Sequence, residues 1–422
     1  MKSICFRAAF ALSSAAFLML PGSASAQSSP TLQLRTSFAG QYDTDLGWRP
    51  TYGTPSRHYP DAAPTIAAGQ YEGQTRLFLG TYNSLGQFFN ALQGPDNIHN
   101  AQQDLASVFG GVSAGYLVTQ AQILRDLSPV QLPGQPVQLW DRYVIAARAN
   151  NPNTNRSYIV FSVTRYNPAG EAGQCTYWFD TNDSQTSGLY ADSPRFSTDG
   201  NALLITANMY SFSDNRFQYA KLWMYPKTAI YNDASLGTCP AAPSAPASLV
   251  LNMPNADGSL PFSVIPAKSN DTGTSAYLVN ALLNGGNALT VWKLDTADPT
   301  QINGVYGPVS TNPYSVPPNA EQAGTSALIT TWGSRLFNAV YRTGSGLWTV
   351  NTTGCTPNGD TAQRACVQWY QIDPNSFTVQ RQGLVRTAGY HYYAPAIAAN
   401  DEGDALLAFN GSAADHHVGV YY

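Results

Sequence analysis

Charged side chains are scarce in this chain of 422 residues, where they make up only 11% of the sequence. Soluble domains usually carry about a quarter. Lysine is rare, and the only copies after the first 26 residues are Lys221, Lys227, Lys268 and Lys293. Nucleic acids and anionic membranes are bound by clusters of lysine and arginine. The composition therefore predicts that no nucleic acid is a partner.

Common catalytic and cofactor motifs are also missing. The sequence contains no P-loop, no G-x-G-x-x-G after a strand, no G-x-S-x-G and no H-E-x-x-H. It therefore gives no support to phosphate-cofactor enzymes, serine hydrolases or the common zinc proteases. After the N-terminal stretch there is no apolar run long enough to cross a bilayer, which predicts no membrane insertion.

Residues 1–26 have the three parts of a secretory signal peptide. Lys2 and Arg7 supply the positive start, an apolar stretch follows from Ala8 to Leu20, and Ala24-Ser25-Ala26 offers a cleavage site. We therefore expect a secreted or periplasmic protein that begins after residue 26. Without Lys2 and Arg7, 20 basic and 26 acidic residues remain, so the expected mature chain is mildly acidic.

Four cysteines follow the signal peptide, and an even number in an exported protein suggests disulfides. Cys355 and Cys366 flank a short Gly-, Asn- and Asp-bearing loop and are paired on that ground, which leaves Cys175 to pair with Cys239. No C-x-x-C spacing or nearby histidine supports a metal site. We expect no cofactor, although Ca²⁺ could bind acidic turns such as residues 400–404.

One phrase occurs three times, in residues 63–79, 193–205 and 394–408. Each copy has a proline-led, half-apolar strand, a glycine turn and a second apolar strand. Recurring hairpins of one design indicate a repeat architecture. A second repeated feature is a tryptophan within an apolar strand, at Trp178, Trp223, Trp292, Trp348 and Trp369. We predict that these tryptophans pack between repeats.

Short strands alternate with turns over nearly 400 residues, which is too long for one sandwich. We predict an all-β fold, a single β-propeller domain over residues 27–422 with four-stranded blades. Seven blades are preferred and six are the alternative, and the N-terminal strand Leu32–Thr36 is expected to close the ring. The best helical candidate is Asn97–Ser107, within an expected insertion at about 85–127.

Eight stretches carry a resemblance to known proteins: residues 140–143, 162–165, 192–196, 207–210, 318–322, 335–339, 367–370 and 394–400. Together they resemble exported bacterial β-propeller proteins of sialidase-like architecture. That group has no settled activity, so the resemblance implies a propeller fold and export only. The sequence has no convincing Asp-box, and the chain stops soon after the last matching motif.

Propeller ligands bind around the central channel, so polar residues near the proline-led strands are the candidate site residues. A glycosidase needs two carboxylates with opposed roles, for which we single out Glu321 and Asp192 as the catalytic pair. Because glutamate occurs only four times, Glu321 in its proline-rich loop is the more informative of the two.

Ligand-binding candidates come from two further patterns. Arginines clamp carboxylates in bidentate fashion, which suggests a cluster of Arg195, Arg335 and Arg342, with Tyr314 or Tyr392 as a nearby nucleophile. The run His391-Tyr392-Tyr393 precedes a repeat strand and could line a sugar site.

These features predict an exported β-propeller, expected to be a monomer, that binds an extracellular carbohydrate or other polymer on its channel face. If it is an enzyme, it should be a glycan hydrolase or lyase. The alternative is a non-catalytic adhesion or protein-interaction scaffold, whose partner would be an extracellular protein.

Overall fold

A computed structural model describes residues 65–71, 74–82, 87–93, 98–104, 109, 116–130, 138–166, 172–182, 188–231, 239, 246–269 and 273–422. The signal peptide and the expected closing strand Leu32–Thr36 lie outside these residues. Within the described ranges, no helix has the length and apolar character needed to cross a bilayer.

Six sheets of three to five strands, antiparallel except for one parallel pair, follow one another along the described chain. The first holds β1 (Thr65–Tyr71), β2 (Gln74–Tyr82), β3 (Gln87–Gln93) and β4 (Ile98–Asp104). The second holds β5 (Leu117–Val130), β6 (Gln138–Asn151), β7 (Arg156–Tyr166) and β8 (Ala172–Asp180). The third holds β9 (Leu189–Thr198), β10 (Ala202–Ser211), β11 (Phe217–Pro226) and β12 (Ala247–Leu251), with a short helix, α1 (Lys227–Ile230), after β11.

The next two strands along the chain, β13 (Ile265–Pro266) and β14 (Lys268–Ser269), belong to two different sheets. The fourth sheet has β13, β15 (Ser275–Ala281), β16 (Gly285–Asp295) and β17 (Asn303–Ser315). The fifth has β20 (Leu336–Arg342), β21 (Gly346–Cys355), β22 (Arg364–Asp373) and β23 (Thr378–Val385), and β14 pairs parallel to β20. A hairpin of β18 (Ala320–Gln322) and β19 (Thr325–Ile329) precedes it. The sixth has β24 (His391–Ala399), β25 (Ala405–Ala413) and β26 (His416–Tyr421).

The repeated phrase forms the hairpins that its sequence predicts. Its three copies are the β1–β2, β9–β10 and β24–β25 pairs. The all-β fold with repeated four-stranded sheets is therefore confirmed, and it is the arrangement that propeller blades use.

The predicted helix at Asn97–Ser107 is wrong, because residues 98–104 form β4 and pair with β3. An isolated helix of that length is marginal in water, so pairing with a neighbouring strand decides the local structure. The segment at about 85–127 thus supplies the two outer strands of the first sheet and the start of β5.

Consecutive sheets pack face to face, so an interior strand is buried on both sides. On β10, Ile205 packs towards the second sheet and Leu204 towards the fourth. On β11, Trp223 packs towards the second sheet and Met224 towards the fourth. Burial on both faces explains why these strands read as continuous apolar runs rather than as alternating patterns.

Side-chain amides join the first strands of neighbouring sheets. Gln122 on β5 donates to the carbonyl of Pro194 at 2.8 Å and accepts from the amide of Phe196 at 3.4 Å. Asn338 on β20 makes the same two bonds with the carbonyl and amide of Ile397, at 2.8 and 2.9 Å. These bonds satisfy backbone groups that no neighbouring strand pairs.

The first strands of the sheets run in the same direction. Asn338 bonds to Ile397, and four residues later Arg342 donates to the carbonyl of Ala399 at 2.9 Å. We call the end at which β5, β9, β20 and β24 begin the upper face, and the opposite end the lower face.

Two disulfides join the cysteines that the sequence pairs. The Cα atoms of Cys175 and Cys239 lie 5.5 Å apart, and those of Cys355 and Cys366 lie 6.0 Å apart. Such pairs are typical of proteins in oxidising compartments.

Candidate functional site

A left-handed residue interrupts the first strand at the upper face in three sheets. Gln120, Ser193 and Ala394 have φ angles of 57°, 50° and 48°. The strand register shifts beside each of them. Such bulges re-aim neighbouring side chains and are common beside functional sites. The sequence shows the Ser-Pro and Ala-Pro pairs but carries no clear signal for the bulge.

Asp192, one of the two proposed catalytic carboxylates, lies directly before the Ser193 bulge. Its Oδ1 is 2.5 Å from Nη1 of Arg148 and 3.3 Å from the amide nitrogen of Gln120. Its Oδ2 accepts the hydroxyl of Ser193 at 2.9 Å. Asp192 is therefore held by the second sheet, at the boundary between the second and third sheets.

Arg335 reaches the same region from the fifth sheet. Its Nε donates to the carbonyl of Trp332 at 2.8 Å, and its guanidinium carbon lies 5.3 Å from the ring centre of Phe262. Burial lowers the pKa of Arg335, and the nearby Tyr210 and Asp192 oppose that shift. Asp192 and Arg335 thus lie in the same part of the upper face, close enough for their charges to interact.

Half-buried aromatic rings surround these two side chains. Tyr190 stacks on Tyr210 at 5.8 Å and contacts Phe212 at 4.9 Å. Phe217 joins Tyr210 to Phe262, with centroid distances of 5.8 and 5.0 Å. Burial raises the pKa of both tyrosines, and the charge of Asp192 adds to it. We call Tyr190, Tyr210, Phe212, Phe217 and Phe262 the upper aromatic patch.

Glu321 and His391 belong to a second group at the upper face. Oε2 of Glu321 is 2.9 Å from Nη1 of Arg364, and Nε of Arg364 is 2.7 Å from Oδ2 of Asp360. His391 Nε2 lies 3.2 Å from Arg364 Nη1 and 3.8 Å from the Glu321 carboxylate. Ser412 donates to the carbonyl of Glu321 at 2.6 Å. We call Glu321, Asp360, Arg364 and His391 the Glu321 group.

The Cys355–Cys366 disulfide positions this group, because its short loop carries both Asp360 and Arg364. Hydrogen bonds from Arg364 and from the amides of Gly389 and Ala362 hold the pKa of Asp360 well below its usual range. Sequence reasoning missed Asp360 and Arg364. The signal that could have found them is the cysteine pair, which brings its loop next to β18.

The remaining candidates are mostly engaged within the protein. Tyr314 is buried, and its hydroxyl accepts the amide of Leu282 and donates to the carbonyl of Ala288. Burial raises its pKa to about 12. The ring of Tyr392 packs against Phe409 and Tyr421. These contacts account for both hydroxyl-bearing rings without a ligand.

Two other candidates are placed differently. Tyr393 is buried and donates to Ser412 at 3.3 Å, which links it to the Glu321 group. Arg195 is half-buried on β9, opposite Thr206, and Arg342 is bound to backbone carbonyls. Arg335 and Arg342 lie at opposite ends of β20, so the structure does not bring these two arginines into one clamp. Within the same residues, no three His, Cys, Asp or Glu side chains lie close enough to hold a metal.

Because His391 is buried, we expect the free energy of unfolding to depend on pH. Burial lowers its pKa below 6.5, and Arg364 lowers it further, while Glu321 and Asp360 oppose the shift. The unfolded chain then binds more protons than the folded one between the lowered pKa and 6.5, so stability falls as pH drops through 6.5. We expect the free energy of unfolding to fall more steeply in the wild type than in His391→Gln between about pH 7 and pH 5.

Urea denaturation at each pH measures this difference. His417→Gln, in an exposed position of the same sheet, is the control and should keep the wild-type slope. Equal slopes for the wild type and His391→Gln would show that His391 is not buried in its neutral form.

Comparison with known protein families and with curated proteins finds no match to this chain. The candidate site therefore rests on its own geometry.

Proposed function

We propose that this chain is an exported β-propeller that binds an extracellular carbohydrate at its upper face. The observation that carries the proposal is the upper aromatic patch beside Arg335 and Asp192. Accessible aromatic rings stack on the apolar faces of sugar rings, and charged groups beside them bind hydroxyls. The two disulfides support export.

A closed ring of seven blades is part of this proposal. The sixth sheet has three strands in the described residues, and its outer face exposes Leu406, Val418 and Val420, the last at 76%. Apolar sheet faces are normally covered, and each described interior sheet is covered by its neighbours. Leu32–Thr36 would supply the missing strand of the sixth sheet, and residues 37–64 would supply part of a seventh blade.

Binding fits the site better than hydrolysis does. A glycosidase directs two carboxylates at one bond. Asp192 is bound to Arg148, whereas Glu321 is bound to Arg364 in a different group. Glycan hydrolysis or lysis is therefore the second candidate function, after carbohydrate binding. A sialidase-like arginine clamp on a carboxylate would have to use Arg335 without Arg342, because the two lie at opposite ends of β20.

The test is binding of the mature protein to a glycan panel, with Tyr210→Ala as the site variant. Losing one stacking ring should weaken binding about fivefold to tenfold. Tyr422→Ala, which removes an exposed ring at the C-terminus, is the matched control and should bind as the wild type does. Melting curves of both variants separate lost binding from lost structure.

The same panel also decides between the alternatives. Turnover that disappears in Glu321→Gln would establish a hydrolase or lyase. Binding that is equally weak in both tyrosine variants would remove the upper aromatic patch from the site. If the protein neither binds nor converts any glycan of the panel, the proposal is contradicted and an adhesion or protein-interaction scaffold becomes the leading function.

A further inference from the structure

A groove opens on the lower face, between the fifth and sixth sheets. Its volume is about 560 Å³, which is in the range of pockets that bind small organic ligands. It lies at the far end of β24 from His391, about 25–30 Å away along that strand. Its main side chains are Tyr341, Gln371, Asp373, Arg381, Glu402 and Asp404.

A buried acceptor without a partner lies in the wall of this groove. Gln371 is only 5% exposed, and its Nε2 donates to the carbonyl of Ser345 at 2.8 Å. Its Oε1 is buried and has no hydrogen-bond partner among the described residues. A buried acceptor without a partner destabilises the folded protein, so a donor from a ligand would be favourable here.

The charge around the groove is negative. Asp373, Glu402 and Asp404 supply three carboxylates, against the guanidinium of Arg381 and the ammonium of Lys293, which donates to Oδ1 of Asn375 at 2.6 Å beside Asp373. A hydrogen bond from the amide of Asn375 lowers the pKa of Asp373, which keeps that carboxylate ionised. A ligand with positive charge and N–H donors therefore complements both the rim and Gln371.

We propose that this groove binds an organic cation bearing ammonium or guanidinium groups. An N–H of the ligand donates to Oε1 of Gln371, and its charge is neutralised by Glu402 and Asp404. The volume favours an organic ligand over a bare metal ion, because one water occupies only about 30 Å³. Free polyamines and basic peptide segments share this chemistry. The proposal is independent of the carbohydrate site on the upper face.

Calorimetric titration of the mature protein at low salt tests the proposal with two probes, spermidine and a hexa-arginine peptide. We expect saturable binding at one site. Binding of spermidine alone would identify a free polyamine as the ligand class, and binding of the peptide alone would identify a basic segment of another protein. Failure of both probes to saturate would overturn the proposal.

Charge-matched variants distinguish binding in the groove from non-specific electrostatic attraction of the cation to the protein surface. Glu402→Gln with Asp404→Asn should weaken binding about tenfold or more. Asp214→Asn with Asp415→Asn removes two exposed carboxylates elsewhere and should change binding less than about twofold. An equal loss in both pairs would show non-specific charge attraction and refute the site.

Gln371→Met tests the buried acceptor, since it keeps the side-chain volume and removes the oxygen. We expect about tenfold weaker binding, with a urea denaturation curve showing that the variant folds. Wild-type affinity in a folded Gln371→Met would refute the role of Oε1.

Discussion

Replacing Trp223 by alanine is expected to lower the free energy of unfolding by about 3–5 kcal/mol. Trp223 is 2% exposed and packs between the second and third sheets. Its ring lies 5.7 Å from that of Phe179, and the ammonium of Lys221 lies 5.3 Å from its centre. The substitution leaves a cavity between two sheets that cannot close without moving both. Urea denaturation followed by circular dichroism measures the loss.

Trp178→Ala is the matched control, because it removes the same side chain from the surface. Trp178 is 65% exposed on β8 and contacts Tyr158 at 5.0 Å. Its neighbours Tyr177 and Phe179 face the third sheet, so Trp178 points the other way. We expect this variant to lose less than about 1 kcal/mol. Equal losses in the two variants would contradict the face-to-face packing of these sheets.

Trp223 and Trp178 show how far the sequence predicts the packing of the sheets. The repeated phrase specifies its hairpins because a strand, a glycine turn and a second strand are local signals. Trp223, Trp292 and Trp348 are buried between sheets, as expected from their apolar strands. Trp178 lies in a similar sequence but on an outermost strand. Its exposure depends on which sheet covers that face, which no local pattern encodes.

The candidate site was predictable only in part. The structure brings Glu321 to His391 and Tyr393 through Ser412 and Arg364, although Glu321 lies 70 residues before His391 in the sequence. The sequence identified these residues from their place before repeat strands. It missed the upper aromatic patch, because Phe212 and Phe217 flank the turn between β10 and β11 whereas Phe262 lies in the segment between β12 and β13, and the two segments meet only in the folded structure.

Replacing Asp126 by alanine is expected to cost about 3–5 kcal/mol, because it removes the carboxylate from a buried charge group. Oδ2 of Asp126 lies 2.7 Å from Nζ of Lys227, and the two side chains are 7% and 8% exposed. The hydroxyl of Tyr231 also donates to Asp126, and the fully buried guanidinium of Arg142 lies 4.5 Å from the Tyr231 ring. The substitution leaves two buried cations beside the vacated position.

Two further variants separate the cost of an uncompensated charge from the loss of packing. Asp214→Ala breaks an exposed contact with Arg216 at 3.7 Å and should cost about 0–1 kcal/mol. Asp126→Leu with Lys227→Met removes the ion pair and should recover part of the loss, since buried ion pairs are often replaceable by apolar pairs while the buried charge of Arg142 stays in place. If the double variant were as unstable as Asp126→Ala, the stabilisation would come from the Tyr231 hydrogen bond and from shape rather than from the ion pair. Urea denaturation of the three variants under one buffer distinguishes these outcomes.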